Sequence, residues 1–283
     1  SAVGMAEPPG PALTRVLAPT LFPTWQTWNV AHPVVLEEAG RLLLYYSGSG
    51  DTQMNDSVTD LWSIGLATSE DQRRFAYPED YEPVLIPRRF REGEVVDPRS
   101  TQGAFDALAV FAPTLVRDES GYRMWYTGWN GAVEIGPGGR TTRVGFRIGL
   151  ATSRDGRSWT KVRGSESEGA AFSLGAATAL DGKGASHPWV FRQADGFRMW
   201  YEAFDGRNSR IATAWSSDGL VWRTEGVALG LGAPATADER GLSHPVVFAR
   251  HGRFERWYEA AGRGTPAHRI LRALSTDGLR WTR

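Results

Sequence analysis

The 283 residues carry 32 basic and 32 acidic side chains, so no global field draws in nucleic acid or an anionic membrane surface, and neither is expected as a partner. The absence of cysteine excludes disulfides and thiolate metal sites, and no apolar run approaches the roughly 18 residues of a membrane helix. What is left is a globular chain long enough to bury a large core, expected in the cytoplasm and also compatible with an exported mature protein.

Residues 1–12 lack the basic and apolar regions of a signal peptide and are expected to be a flexible start; 13–283 read as one domain, because a repeat fills them. Leu13-Thr14-Arg15-Val16-Leu17 reads as an edge strand, followed by a loop carrying Trp25, Gln26 and Trp28. The first repeat then begins at Ala31-His32-Pro33-Val34-Val35. Its later copies are Phe111-Ala112-Pro113-Thr114-Leu115, Ser186-His187-Pro188-Trp189-Val190 and Ser243-His244-Pro245-Val246-Val247.

Each copy continues, after a glycine, into a strand with aromatics at its end: Leu44-Tyr45-Tyr46, Met124-Trp125-Tyr126, Met199-Trp200-Tyr201 and Arg256-Trp257-Tyr258. A third strand follows, starting at Ile64, Ile148, Ile211 and Ile270. In three copies it ends in Asp-Gly with Trp three residues on, at Asp155, Asp218 and Asp277; Asp with Gly suits a tight turn, so these aspartates are read as structural. Trp125, Trp159, Trp200, Trp222, Trp257 and Trp281 recur with the repeat and are expected in the core.

Short strands with an aromatic motif in each unit give an all-β fold, a β-propeller of four-stranded blades. Fourth strands are faint, as at Pro83-Val84-Leu85-Ile86. The anchor prolines 33, 113, 188 and 245 count four blades, with 13–17 expected to pair beside the last and close the ring. Loops 47–63 and 127–147 are expected to form a rim over the axial funnel.

The run Pro-Val, then Gly-x-x-x-Trp-Tyr, then Ile-Gly-Leu-Ala-Thr-Ser-x-Asp-Gly-x-x-Trp resembles the glycosidase-like propellers related to arabinanases, β-xylosidases, invertases and levansucrases, over nearly the whole chain. The resemblance implies five blades as the alternative to four. In family 43 glycoside hydrolases it also implies catalytic carboxylates at or beside the residue before the strand's proline, with one blade carrying aromatic-Ala-Pro, as at Phe111-Ala112-Pro113. Where acids are expected, this chain has His32, His187 and His244. Inverting hydrolysis needs one carboxylic acid and one carboxylate, and neither stands there.

Equivalent inner-strand positions converge on the axis, and three imidazoles with a fourth side open form a catalytic divalent-metal arrangement. The alternative is that each His packs the strand entry or hydrogen-bonds substrate. His251 and His268 read as solvated, in a hairpin and a loop. Seven residues before the prolines stand Gln26, Asp106, Asp181 and Asp238; the aspartates are read either as turn formers or as acids, bases or imidazole partners facing the funnel, and Gln26 as a substrate-binding residue. Glu202 and Glu259 end second strands and are further candidate carboxylates. Trp25, Trp28, Trp62 and Trp129 lie outside the repeat and are candidates for stacking on a sugar.

Three functions follow: an enzyme acting on a small polar, sugar-containing molecule through the His cluster and a divalent metal; a hydrolase using Asp106, Asp181, Asp238, Glu202 or Glu259; or a carbohydrate-binding propeller without catalysis.

Overall fold

The structure, a computed structural model, describes residues 16–19, 24–50, 61–80, 82–87, 90–91, 94–95, 104–263 and 268–283. Four antiparallel sheets follow one another along the chain. The first is β1 (Asn29–Glu38), β2 (Arg41–Gly50) and β3 (Leu61–Ser69). A short hairpin of β4 (Phe90–Arg91) and β5 (Glu94–Val95) comes next. The second sheet starts with β6 (Ala109–Asp118) and β7 (Gly121–Trp129), passes through a hairpin of β8 (Val133–Ile135) and β9 (Thr141–Arg143), and finishes with β10 (Arg147–Ser153) and β11 (Thr160–Val162). The third is β12 (Gly184–Gln193), β13 (Gly196–Phe204), β14 (Ser209–Ser216) and β15 (Arg223–Leu229). The fourth is β16 (Gly241–Arg250), β17 (Arg253–Ala261) and β18 (His268–Ser275). Each sheet is a blade, with the proline strand innermost.

Outer strands thin out at the two ends. In the first blade Leu85 and Ala76 make single bridges to Ile64 and Thr68, and in the fourth Thr282 bridges Leu274. The expectation that 13–17 complete the last blade is corrected where it can be seen. Residues 16–19 are coil, and the Ala18 carbonyl accepts from Tyr77 beside the first blade; residues 13–15 lie outside the described set. The expected long rim loops also shrink, because β2 runs on to Gly50 and most of 127–147 is strand or hairpin.

The apolar core is divided among the blade interfaces. One cluster joins Tyr45 and Ile64 to Leu115 and Met124, a second joins Trp125 and Ile148 to Val190 and Met199, and a third joins Trp200 and Ile211 to Val247 and Tyr258. The third-strand turns fasten these interfaces. Gly156, Gly219 and Gly278 sit at φ 72°, 78° and 74°, which a side chain would resist, and each offers its carbonyl outward. That carbonyl accepts from the turn's own indole, Trp159, Trp222 or Trp281. It also accepts from the preceding blade: Tyr45 Oη to Gly156 at 2.7 Å, Trp125 Nε1 to Gly219 and Trp200 Nε1 to Gly278, both at 2.8 Å. Burying such an aromatic contributes about 1.5–3 kcal/mol, and its polar atom is satisfied at the same time.

Trp257 departs from the expected core role. It is 42 % exposed and its indole donates to Glu255 of its own strand, because no following turn faces it among the described residues.

Candidate functional site

Each innermost strand breaks its ladder at the proline. Pairing skips from Ala31 to Val34, Phe111 to Thr114, Ser186 to Trp189 and Ser243 to Val246, leaving two residues opposite one. Proline has no N–H to give the ladder, and the bulge re-aims the residue before it. His32, Ala112, His187 and His244 accordingly adopt φ 52°, 49°, 50° and 51°. This left-handed backbone is rare outside glycine, costs of order 1–3 kcal/mol for a side-chain-bearing residue, and concentrates at functional sites. Neighbouring blades hold it in place: Ala112 N–H donates to Ser47 Oγ at 2.9 Å, and His187 N–H to Thr127 Oγ1 at 2.8 Å.

The three imidazoles meet at the axis. Ring centres of His187 and His244 are 3.8 Å apart, and His32 lies 5.2 and 5.3 Å from them. One ring nitrogen from each lies within 4.8 Å of the others. Carboxylates stand behind two rings: Glu202 Oε2 is 2.9 Å from His187 Nδ1, and Glu259 Oε2 is 3.1 Å from His244 Nδ1. Ser186 and Ser243 hydroxyls lie 3.0 and 2.9 Å from the same nitrogens. His268, expected in a solvated loop, instead opens β18 with Nδ1 at 2.5 Å from Glu259.

Burial, aided by the other two histidines, lowers His32 to a pKa of about 2. Burial also lowers His187, with His244 adding to the effect and Glu202 opposing it. Glu259 is held down at about 2 by its hydrogen bond with His244. Burial pushes Glu202 up, but its bonds with His187 and Ser209 prevail and it stays below the usual carboxylate range. His32 and His187 are therefore neutral, and both carboxylates are ionised.

The donor set fits a divalent ion. Neutral imidazole is the form that ligates, and a carboxylate on Nδ1 turns the other nitrogen toward a metal. The Nδ1 atom of His32 is buried with no hydrogen-bond partner. Zinc-like bonds of about 2.0–2.1 Å in a tetrahedron need nitrogens roughly 3.4 Å apart, so ring rotation from the observed spacing is the adjustment required. Beside the rings lies a cavity of ≈ 360 Å³ walled by the four anchor prolines, Trp189 and Trp257.

No family model matches the chain. Uncharacterized protein Rv1502 of Mycobacterium tuberculosis (strain ATCC 25618 / H37Rv) is 31 % identical over 225 residues, 78 % of this chain and 64 % of that protein. Uncharacterized protein MT1551 of strain CDC 1551 / Oshkosh matches over the same shares. The chain thus spans 64 % of the length of these curated relatives. Among solved structures, Zg3597, a family 117 glycoside hydrolase from Zobellia galactanivorans, superposes with a TM-score of 0.64 at 16 % identity, covering 95 % of this chain and 73 % of that one. The Bombyx mori GH32 β-fructofuranosidase BmSUC1 gives 0.61 at 15 %, covering 89 % and 48 %. The chain has the β-propeller fold of these glycoside hydrolases.

The propeller sorts the other candidates by position. Gln26, Asp106, Asp181 and Asp238 are buried and do not line the cavity with the histidines; each accepts from the tyrosine 20 residues on, Tyr46, Tyr126, Tyr201 or Tyr258, at 2.6–3.1 Å. Asp106 also pairs with Lys161 at 2.7 Å, and Asp238 with Arg283 at 2.5 Å. They seat the loops against the blades because a buried polar side chain must find hydrogen-bond partners.

Trp25 is packing rather than funnel wall. It stacks on Tyr46, and a Cβ on Gly65 would come within 2.5 Å of both rings. Trp129 is buried beneath the β8–β9 hairpin, with its indole shared between the carbonyls of Ala132 and Val144. Trp28 is exposed at the start of the first blade. Trp62 alone of the four packs on the His cluster, 5.6 Å from His32. Phe111 was read only as part of the motif, yet it stands 5.8 Å from His32 and 5.5 Å from His187.

Proposed function

We propose that this propeller is a metal-dependent enzyme acting on a small polar molecule, sugar-containing by analogy with the glycoside hydrolases that share its fold. One observation carries the reading: three pre-proline histidines from separate blades bring ring nitrogens within 4.8 Å, and a carboxylate backs two of them. His32, His187 and His244 would hold the ion, with Glu202 and Glu259 fixing ring orientation and Trp62 and Phe111 shielding one side. A divalent ion held there supplies Lewis acidity toward a substrate oxygen. The same position in the blade of Ala112 offers no ligand and leaves room for substrate.

Hydrolysis by carboxylates alone has less support. Asp106, Asp181 and Asp238 are engaged by tyrosines, and Glu202 and Glu259 are held ionised, so neither supplies the protonated acid that glycoside cleavage needs.

The test is elemental analysis of protein purified without chelators. The expectation is about one divalent ion per chain, lost in His187→Ala and His244→Ala. Metal-free wild-type protein that hydrolyses aryl glycosides as fast as loaded protein would return the chemistry to the carboxylates. Sugar binding without turnover in both forms would make the propeller a carbohydrate-binding module.

A further inference from the structure

We infer that Ser209 and His268 are positioning residues, the outer members of two chains in which a donor holds a carboxylate and the carboxylate holds an imidazole: Ser209–Glu202–His187 and His268–Glu259–His244. With His187 and His244 holding an ion, as proposed above, these two outer residues set the aim of the ligand rings.

Each carboxylate gives one oxygen to each partner. Glu202 Oε2 lies 2.9 Å from His187 Nδ1, and its Oε1 accepts from Ser209 Oγ at 2.7 Å. Glu259 Oε2 lies 3.1 Å from His244 Nδ1, and its Oε1 lies 2.5 Å from His268 Nδ1. An ionised carboxylate only accepts, so it meets each imidazole through Nδ1–H and leaves the Nε2 of the inner ring free for a ligand bond.

The outer donor is needed because a second hydroxyl competes at each inner ring. Ser186 and Ser243 stand 3.0 and 2.9 Å from the same Nδ1 atoms, and a hydroxyl donates as readily as it accepts. A glutamate bonded at one oxygen alone is free to turn about its broad terminal torsion. Once it turned away, the serine would donate to Nδ1, the ring proton would move to Nε2, and that nitrogen could no longer ligate. A donor on the second oxygen fixes the carboxylate against this swing.

The repeat supplies an internal control. Ile64, Ile148, Ile211 and Ile270 lie opposite Ser47, Thr127, Glu202 and Glu259, and the residues two before them, on the same face of the sheet, are Trp62, Phe146, Ser209 and His268. In the first two blades no carboxylate stands in the row, and the hydroxyls of Ser47 and Thr127 accept from the backbone N–H of Ala112 and His187 in the next blade. Their outer residues are aromatics that pack on rings, Trp62 at 5.6 Å from His32 and Phe146 at 5.9 Å from Phe111. Donors bonded to a carboxylate thus stand in the two rows that have a glutamate, and packed aromatics in the two that lack one. The two donors differ in setting, since Ser209 is half-buried and the His268 side chain is 67 % exposed.

The experiment reads tautomers and affinity separately in the 283-residue chain. In metal-free protein labelled with ¹⁵N-histidine, at about pH 8 where imidazole is neutral, nitrogen shifts are expected to show His187 and His244 as Nδ1–H tautomers. Ser209→Ala is expected to mix the tautomers of His187 alone, and His268→Ala those of His244 alone. Competition with a chromophoric chelator is expected to show zinc binding weakened about tenfold by Ser209→Ala, the low end for a residue behind a ligand, and less by the exposed His268→Ala. Ser209→Thr, which keeps the hydroxyl, is expected to stay within about twofold of wild type, and Ser209→Ala to add less than about twofold to the loss in Glu202→Gln. Unchanged tautomers in both alanine variants would overturn the inference, as would an equal loss in Ser209→Thr or a full additional loss in the Glu202→Gln background. A wild-type chain that binds no zinc would end the metal reading instead, and the tautomers of the metal-free protein would still decide the roles of Ser209 and His268.

Discussion

Two rings of polar side chains repeat with the blades, at fixed distances from the same prolines. The outer ring, Gln26, Asp106, Asp181 and Asp238, is closed: each member takes a tyrosine hydroxyl, and two add a cation. The inner ring, His32, His187 and His244, rests on strained backbone and leaves a buried nitrogen of His32 without a partner. A buried polar atom left unpaired costs about 1–3 kcal/mol, so the inner ring is the one of the two that is left with unused bonding capacity. Repetition marked both rings equally, and hydrogen-bond completeness separates them.

The sharpest break is removal of an inner ligand. His187→Ala is expected to weaken ion binding by more than about 100-fold, because even residues behind a ligand are worth 10- to 100-fold. Titration with zinc or cobalt reads the loss, and unchanged affinity would place the ion elsewhere. Glu202→Gln probes the support behind that ring: a drop of about 10- to 100-fold in affinity is expected, with the melting curve little changed.

The outer ring should respond in the opposite sense. Asp181→Asn leaves Tyr201 poorly matched and is expected to cost about 1–3 kcal/mol in urea denaturation, while metal affinity stays within about twofold of wild type. If it abolished ion binding instead, the two rings would be one functional unit.

Acid titration gives a slower contrast. An unfolded histidine takes up its proton near 6.5, whereas folded His32 resists to about 2 and folded His187 is also lowered. Stability from these neutral rings is therefore full above pH 6.5 and falls as pH drops below it, by at most about 1.4 kcal/mol per unit per group. In metal-free protein the slope between pH 6.5 and 4.5, before most carboxylates titrate, is expected to flatten in His32→Asn, a residue that tolerates the left-handed backbone. The smallest effect belongs to Trp62→Ala, expected to weaken ligand binding by about tenfold or less with little change in melting temperature, since the ring packs at the edge of the cluster.

The propeller, the innermost strands and the convergence of the three histidines were legible because a proline, an aromatic pair and an Asp-Gly turn recur in register. The fate of Asp181 was not, since it lies in the turn before β12 while its partner Tyr201 lies on β13, and only the folded register brings the two together. Trp257 was misread for the same kind of reason. Its sequence matches that of Trp125 and Trp200, but burial depends on a neighbouring blade that its own residues cannot report. His268 lies nine residues beyond Glu259, and antiparallel pairing of β17 with β18 returns it to that carboxylate. Phe111 carried a signal in the motif, as the bulky residue before the alanine that replaces a histidine.

The aromatic-to-glycine bonds run in one direction only: an indole or phenol of one blade always waits for the turn of the next. Each accepting carbonyl already holds its own blade's tryptophan, so a turn can form before its predecessor docks. The predecessor's aromatic has no such substitute. On the ribosome, where domains assemble from the N-terminus onward, each blade therefore finishes one blade behind synthesis. Loss of a late blade strips the buried ring from the one made before it, and unravelling travels back toward the start of the chain.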